Sequence, residues 1–138
     1  MVGIVLDTNI LVSALLSRQA FEARALDLTL AGRAQLFISP PILAEYEDVL
    51  RRPRFQFTRA SIDRLLRKLE DHSTLVHPKS RVTASADDDD NRFLECAETA
   101  GAHYLVTGNL KHLPASFRHT RTINARQFVE LMIDVRRP

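Results

Sequence analysis

Short apolar runs alternate along the chain with longer stretches of helical periodicity. Residues 2–6, 35–38, 74–77, 103–106 and 121–124 read as strands. Residues 9–31, 40–52, 58–72, 88–100 and 125–135 carry apolar side chains at three- and four-residue spacing and read as helices. Ser39 ahead of Pro40 and Pro41 marks a helix start, Pro53 stops that helix, and Gly101 ends the fourth. Short continuous apolar strands separated by helices imply a parallel sheet covered on both faces. No repeat or linker divides the chain, so residues 1–138 are expected to form one α/β domain.

Composition adds limits. With 45% hydrophobic and 26% charged residues the chain is of ordinary globular make-up, long enough to bury a core without staples. Cys96 is the only cysteine, which excludes a disulfide framework or a zinc-finger spacing and suits a reducing, cytoplasmic setting. Asp7 and Asn9 interrupt the apolar start, and no basic region precedes it, which argues against a secretory signal or a membrane span. Net charge is only +2, yet Arg51, Arg52, Arg54, Arg59, Arg64, Arg67 and Lys68 crowd one stretch against Asp63 and Glu70. Alone, such a run is most simply a solvated helix face; beside an acidic cluster it suits a polyanion partner.

The acids carry the chemistry. Asp7 closes the first strand, and Asp87 to Asp90 open the fourth helix. The fourth strand breaks into Thr107-Gly108-Asn109. In open parallel sheets, ligands bind beyond the carboxyl ends of strands where strand order reverses, so adjacent first and fourth strands would bring these loops together. Carboxylates with no Cys/His set beside them suit a hard cation, Mg²⁺ or Mn²⁺. At about 100° per residue, Asp89 and Asp90 fall in line with the apolar face of Phe93, Leu94, Cys96 and Ala97, and Asp88 points away. Each position also has a plainer use: Asp7, Asp87 and Asn109 are good helix caps, and Cys96 reads as an inert buried thiol. In the second helix, Glu45 and Glu47 flank opposite edges of the stripe Ile42, Tyr46, Val49 and Leu50, and geometry leaves them rivals.

Four segments in order resemble the PIN domain family of metal-dependent nucleases: Asp7-Thr8-Asn9; Ser39 to Glu45; Asp87 to Leu94 with Ala97; and Thr107-Gly108-Asn109 with Lys111-His112. Each is weak alone, and together they span most of the chain. The resemblance is closest to the toxins of toxin–antitoxin systems related to VapC. It implies a three-layer α/β/α fold with five parallel strands ordered 3-2-1-4-5. It selects Glu45 over Glu47 and sets the metal-binding aspartate at Asp90.

The activity implied is hydrolysis of RNA phosphodiesters with Mg²⁺ or Mn²⁺. Asp7, Glu45 and Asp90 would hold the cation, with Asp89 adding charge and Asn109 completing the shell. Thr8, Asn9, Thr107 and the arginines Arg51, Arg52 and Arg54 would position substrate. Many family members carry aspartate where this chain has Asn109, which implies a weakened second metal site. RNA and an antitoxin protein are the expected partners. The stretch with Phe128, Leu131 and Met132 would serve either a homodimer or its own sheet. Two other readings compete: a non-catalytic RNA-binding module, favoured by Asn109, and an aspartyl-phosphate phosphatase, disfavoured because Asn9 stands where a second aspartate is needed.

Overall fold

A computed structural model describes residues 1–135. Strand β1 (Gly3–Leu6) leads into helices α1 (Thr8–Leu16) and α2 (Phe21–Leu30), then β2 (Gln35–Ile38), α3 (Pro40–Leu50) and α4 (Arg59–Asp71). The second half runs β3 (Ser73–Leu75), α5 (Asp88–Ala100), β4 (Tyr104–Val106), β5 (Ser116–Phe117), β6 (Thr120–Ile123) and α6 (Ala125–Val135). The result is a three-layer α/β/α arrangement around one sheet of order β3-β2-β1-β4-β6-β5. The pairs from β3 to β6 are parallel, so the expected five-strand order stands once β6 is counted as the fifth strand.

Three expectations need correction. The sheet has a sixth strand: β5 pairs antiparallel with β6 through a tight turn in which Arg118 takes a positive φ of 56°. Two residues are too few for any periodicity to register. The stretch 9–31 is two helices, not one. Ser17, Arg18 and Gln19 are all exposed, so nothing holds that turn to the core, and the chain leaves helical geometry at Ser17 (φ −144°, ψ 109°). Finally, β3 begins at Ser73 and stops at Leu75, an edge strand whose last two residues are exposed, with His77 beyond it.

Ile4, Val5, Leu6, Leu36, Ile38, Leu105 and Val106 are buried in the middle of the sheet. Helix α2 contacts α1 and α6, α3 contacts α4 and α5, and α5 lies across β1, β2 and β4. Phe128 and Met132 of α6 are buried in the chain's own core, with Leu131 partly buried, so packing on its own fold uses the residues that a dimer face would have needed. Among the described residues no helix is long and apolar enough to cross a membrane.

Candidate active site

The sheet order runs outward in both directions from β1 and β4, which lie side by side with Leu6 opposite Val106. Loops leaving such a pair part to opposite sides and open a crevice at the strands' carboxyl ends. The Asp7 amide donates to the Val106 carbonyl at 2.9 Å, and the Thr107 amide to the Ile123 carbonyl at 2.9 Å. Each is therefore held to the sheet at the strands' carboxyl ends. Asp7 is 7% exposed, and its Oδ2 accepts a 2.6 Å hydrogen bond from the Thr107 hydroxyl. The same hydroxyl accepts the Asn109 amide at 3.0 Å. Asn9 Oδ1 accepts the Gly108 amide at 3.0 Å, and a Cβ at Gly108 would stand 3.3 Å from that oxygen. The two loops are thus stitched by side chains from both. Asp7 occupies the N-cap position of α1 but makes no capping bond; the nearby Thr8 and Asn9 amides favour its anion without reaching that geometry. Thr8 is buried, and its hydroxyl has no partner among the described residues.

Helix α3 follows β2 directly, with the Ser39 hydroxyl accepting the Ile42 amide and prolines filling the first turn. Glu45 is partly buried, and its neighbours in charge are Asp89, Arg52, Asp48 and Asp7. Glu47 is exposed and paired with Arg51 at 3.1 Å. Of the two rivals, Glu45 is the one that feels Asp7. Tyr46, fully buried, donates its hydroxyl to the Leu6 carbonyl.

Helix α5 supplies the remaining acids. Asp87 is its N-cap and accepts the Asp89 amide at 2.9 Å. Asp88 and Asp89 are both exposed and Asp90 is partly buried. Asp89 thus departs from the inward position that helical phase assigns it: the capped first turn begins the helix at the rim, where Asp89 still raises the pKa of Glu45. Ser85 Oγ lies 3.5 Å from Asp90 Oδ2 and 3.1 Å from the His112 carbonyl, joining the loop before α5 to the turn after Asn109.

Two residues that hold this loop escaped the sequence reading. Asn91, 1% exposed, brackets Ser85 through hydrogen bonds of 2.8 and 2.9 Å. Glu95, 7% exposed, accepts the Val82 amide and Arg92, each at 2.8 Å. A polar residue among the apolar positions of a helix was the available signal, since it requires a buried partner.

Burial raises the pKa of Asp7 despite the Thr107 hydrogen bond. Asp90 is pushed up to about 6, first by burial, then by Asp7 and Asp87. Glu45 is raised by burial and then by Asp89. Asp7 acts on both others, so carboxylates from β1, α3 and α5 share one electrostatic neighbourhood. Their oxygens are hard donors; the sole thiol, Cys96, is buried and pushed up to about 12. This donor chemistry fits Mg²⁺ or Mn²⁺. Among the described residues, however, no three His, Cys, Asp or Glu groups are gathered into a ready ligand set. Coulombic coupling reaches farther than ligation, so side chains would have to draw inward around a cation.

Arg51 is shared between Glu47 and Asp63, at 3.1 and 2.6 Å, and Arg52 pairs with Asp48 at 3.2 Å. Arg54 stacks over the Phe55 ring, 4.8 Å from its centroid. Arg51, Arg52 and Arg59 line a groove of about 830 Å³ with Ala44, Pro53 and the acids Glu47 and Asp48, and it includes none of Asp7, Glu45 or Asp90.

A family model described as PIN domain matches residues 3–111. An uncharacterized protein of Methanocaldococcus jannaschii is 25% identical over 141 residues, covering 94% of this chain and 90% of its own. Among solved structures, a chain from the crystal structure of VapBC2 from Rickettsia felis bound to a DNA fragment from their promoter superposes with a TM-score of 0.59. That match covers 88% of this chain and 98% of the other at 17% identity, a likeness of fold.

Proposed function

Because the chain belongs to the PIN domain family, we propose that residues 1–138 act as one nuclease domain that hydrolyses RNA phosphodiesters with Mg²⁺ or Mn²⁺. The observation that carries this reading is that Asp7, at the β1–β4 strand ends, acts electrostatically on both Glu45 of α3 and Asp90 of α5. A buried carboxylate that raises the pKa of two partly buried ones makes a site whose unmet need is positive charge.

Asp7, Glu45 and Asp90 would hold the cation, with Asp89 contributing charge at the rim and Asn109 a carbonyl oxygen. A divalent cation there supplies charge to offset the scissile phosphate and makes water more acidic. Thr107 orients Asp7 by donating to Oδ2, which leaves Oδ1 free of that contact. Asn9, by holding the Gly108 amide, fixes the loop that carries Asn109. Thr8, whose buried hydroxyl has no partner among the described residues, would have to turn outward to meet substrate or water. Arg52, close enough to Glu45 to stabilise its anion, also lines the groove that holds Arg51 and Arg59, and these arginines, with Arg54 nearby in sequence, would take flanking phosphates. Those contacts require the arginines to exchange exposed ion pairs, which are worth only about 0–1 kcal/mol.

The biological role proposed is that of a cytoplasmic toxin paired with an antitoxin; the fold shared with a chain from VapBC2 supports it. The test is cleavage of labelled single-stranded RNA by the pure protein with Mn²⁺, against EDTA and Asp7→Asn controls. Metal-dependent cutting lost in both establishes the nuclease. No cutting, together with no metal binding, defeats it.

A non-catalytic RNA-binding module is the second reading, favoured by Asn109 and by the absence of a ready ligand set among the described residues. It predicts RNA binding that EDTA does not change. The phosphatase reading loses ground, because Asn9 is engaged with the Gly108 amide.

A further inference from the structure

Helix α3 carries two consecutive residues of opposite setting: Glu45, partly buried, and Tyr46, turned wholly into the core. The Tyr46 hydroxyl donates to the carbonyl of Leu6, 40 residues away in sequence. That carbonyl belongs to the peptide unit whose N–H is the amide of Asp7, and this N–H donates to Val106 at 2.9 Å. The peptide carrying Asp7 is therefore held from both sides, by β4 through its N–H and by Tyr46 through its C=O. The Tyr46 ring also meets Phe93 of α5, three residues after Asp90, with centroids 6.4 Å apart. One side chain thus touches all three elements that carry the central carboxylates.

A phenylalanine would fill the same core volume. Burying a hydroxyl is unfavourable unless it is bonded, and this one bonds the backbone at the carboxylate it adjoins. The geometry points to Tyr46 as a positioning residue that fixes Asp7 relative to Glu45 and so sets the affinity of the crevice for a divalent cation. This inference rests on the reading of the crevice as a cation site. Partners bonded directly to a metal ligand contribute roughly 10- to 100-fold in affinity. Tyr46 acts one step further back, through the Leu6–Asp7 peptide, and Tyr46→Phe should weaken Mn²⁺ binding by about tenfold, the low end of that range.

The experiment is Mn²⁺ titration by calorimetry of the wild type, Tyr46→Phe, Leu50→Val and Asp7→Asn, with circular dichroism on each. Leu50 is buried in the same helix one turn further on and reports the effect of loosened packing alone. The expected result is Mn²⁺ affinity lowered in Tyr46→Phe and kept in Leu50→Val. Wild-type affinity in Tyr46→Phe, or an equal loss in Leu50→Val, overturns the role of Tyr46. If the wild type does not bind Mn²⁺, or Asp7→Asn binds as well as it does, the cation reading itself fails. A second measurement needs no variant: with ¹³Cζ-labelled tyrosine, Mg²⁺ should shift the Tyr46 resonance. A Tyr46 signal that stays fixed while Mg²⁺ binds overturns the inference.

Discussion

The Thr107 hydroxyl donates to Oδ2 of Asp7 across 2.6 Å, joining two residues 100 positions apart in the chain. Because the Thr107 Oγ1 also accepts the Asn109 amide, one hydroxyl orients a carboxylate and shapes the loop beside it. Thr107→Val preserves shape and removes both contacts inside a fully buried position. Loss of the donor raises the Asp7 pKa further, and the stranded amide adds a cost, together about 1–3 kcal/mol of stability. Urea unfolding should show that loss, and Mn²⁺-dependent cleavage should fall with it. Thr107→Ser, which keeps the hydroxyl, should recover most of both.

The acids of α3 and α5 make a graded set. Asp90→Asn and Glu45→Gln should abolish metal-dependent cleavage, as Asp7→Asn should. Asp88→Asn and Glu47→Gln should leave it nearly intact, since both side chains are exposed and Glu47 is turned to Arg51. The Glu47 change should cost less than about 1 kcal/mol, as exposed pairs do. Asp89→Asn should fall between, because its exposed side chain still acts on Glu45. Initial cleavage rates for the six variants decide it, and an Asp88 variant as impaired as Asp90 would break the assignment.

What was legible in the sequence was local. The run ending at Asp7, the cap at Ser39 and the helical phase that separates Asp88 from Asp90 all follow from spacings of a few residues. The five-strand order came from resemblance, and the structure bears it out with β6 as the fifth strand. What stayed hidden depends on contacts that topology alone creates. The bonds from Tyr46 to Leu6 and from Thr107 to Asp7 span 40 and 100 residues. Asn91 and Glu95 were similarly obscure, because their partners lie in a loop without periodicity.

The raised carboxylates make the metal-free protein less stable as pH rises. A carboxyl whose folded pKa exceeds its unfolded value binds protons more tightly when folded. For Asp90 the stabilisation is whole below its ordinary 3.8 and is lost as pH climbs through about 6. Asp7 and Glu45 act in the same direction. Asp90→Asn removes one contributor and should stabilise the metal-free protein at neutral pH by about 1 kcal/mol, after discounting for its partial exposure. Urea unfolding in EDTA at about pH 4 and about pH 7.5 tests this: the variant's advantage should appear only at the higher value. An equal advantage at both would refute the electrostatic origin.

Glu95 anchors the loop that carries Ser85 into the site. Its Oε2 holds the Val82 amide and Arg92, both at 2.8 Å, where it is almost sealed from solvent. Glu95→Ala leaves Arg92, whose Nε has no partner among the described residues, without its counter-charge. Removing one member of a buried pair costs about 3 kcal/mol. Hydrogen exchange should show lost protection at the Val82 and Ser85 amides before the strands are affected. Unchanged exchange at both would mean that other contacts hold the loop.

Asn109 is the position at which charge can be added without disturbing the core. It is exposed, its amide is fixed by Thr107, and its side chain makes no capping bond to the short turn Leu110–His112. Asn109→Asp therefore keeps the backbone and adds a carboxylate at the end of β4, on the loop that Thr107 ties to Asp7. Without metal, the extra like charge should raise the Asp7 pKa further and lower stability by up to about 1 kcal/mol. With metal, a second anionic donor should tighten the weaker of two Mn²⁺ binding events, because charge count sets affinity for hard cations. Calorimetry should resolve a second equivalent in Asn109→Asp where the wild type shows one or a faint second. Unaltered stoichiometry and affinity would mean that position 109 lies outside the cation's reach, and the family resemblance there would then be one of backbone alone.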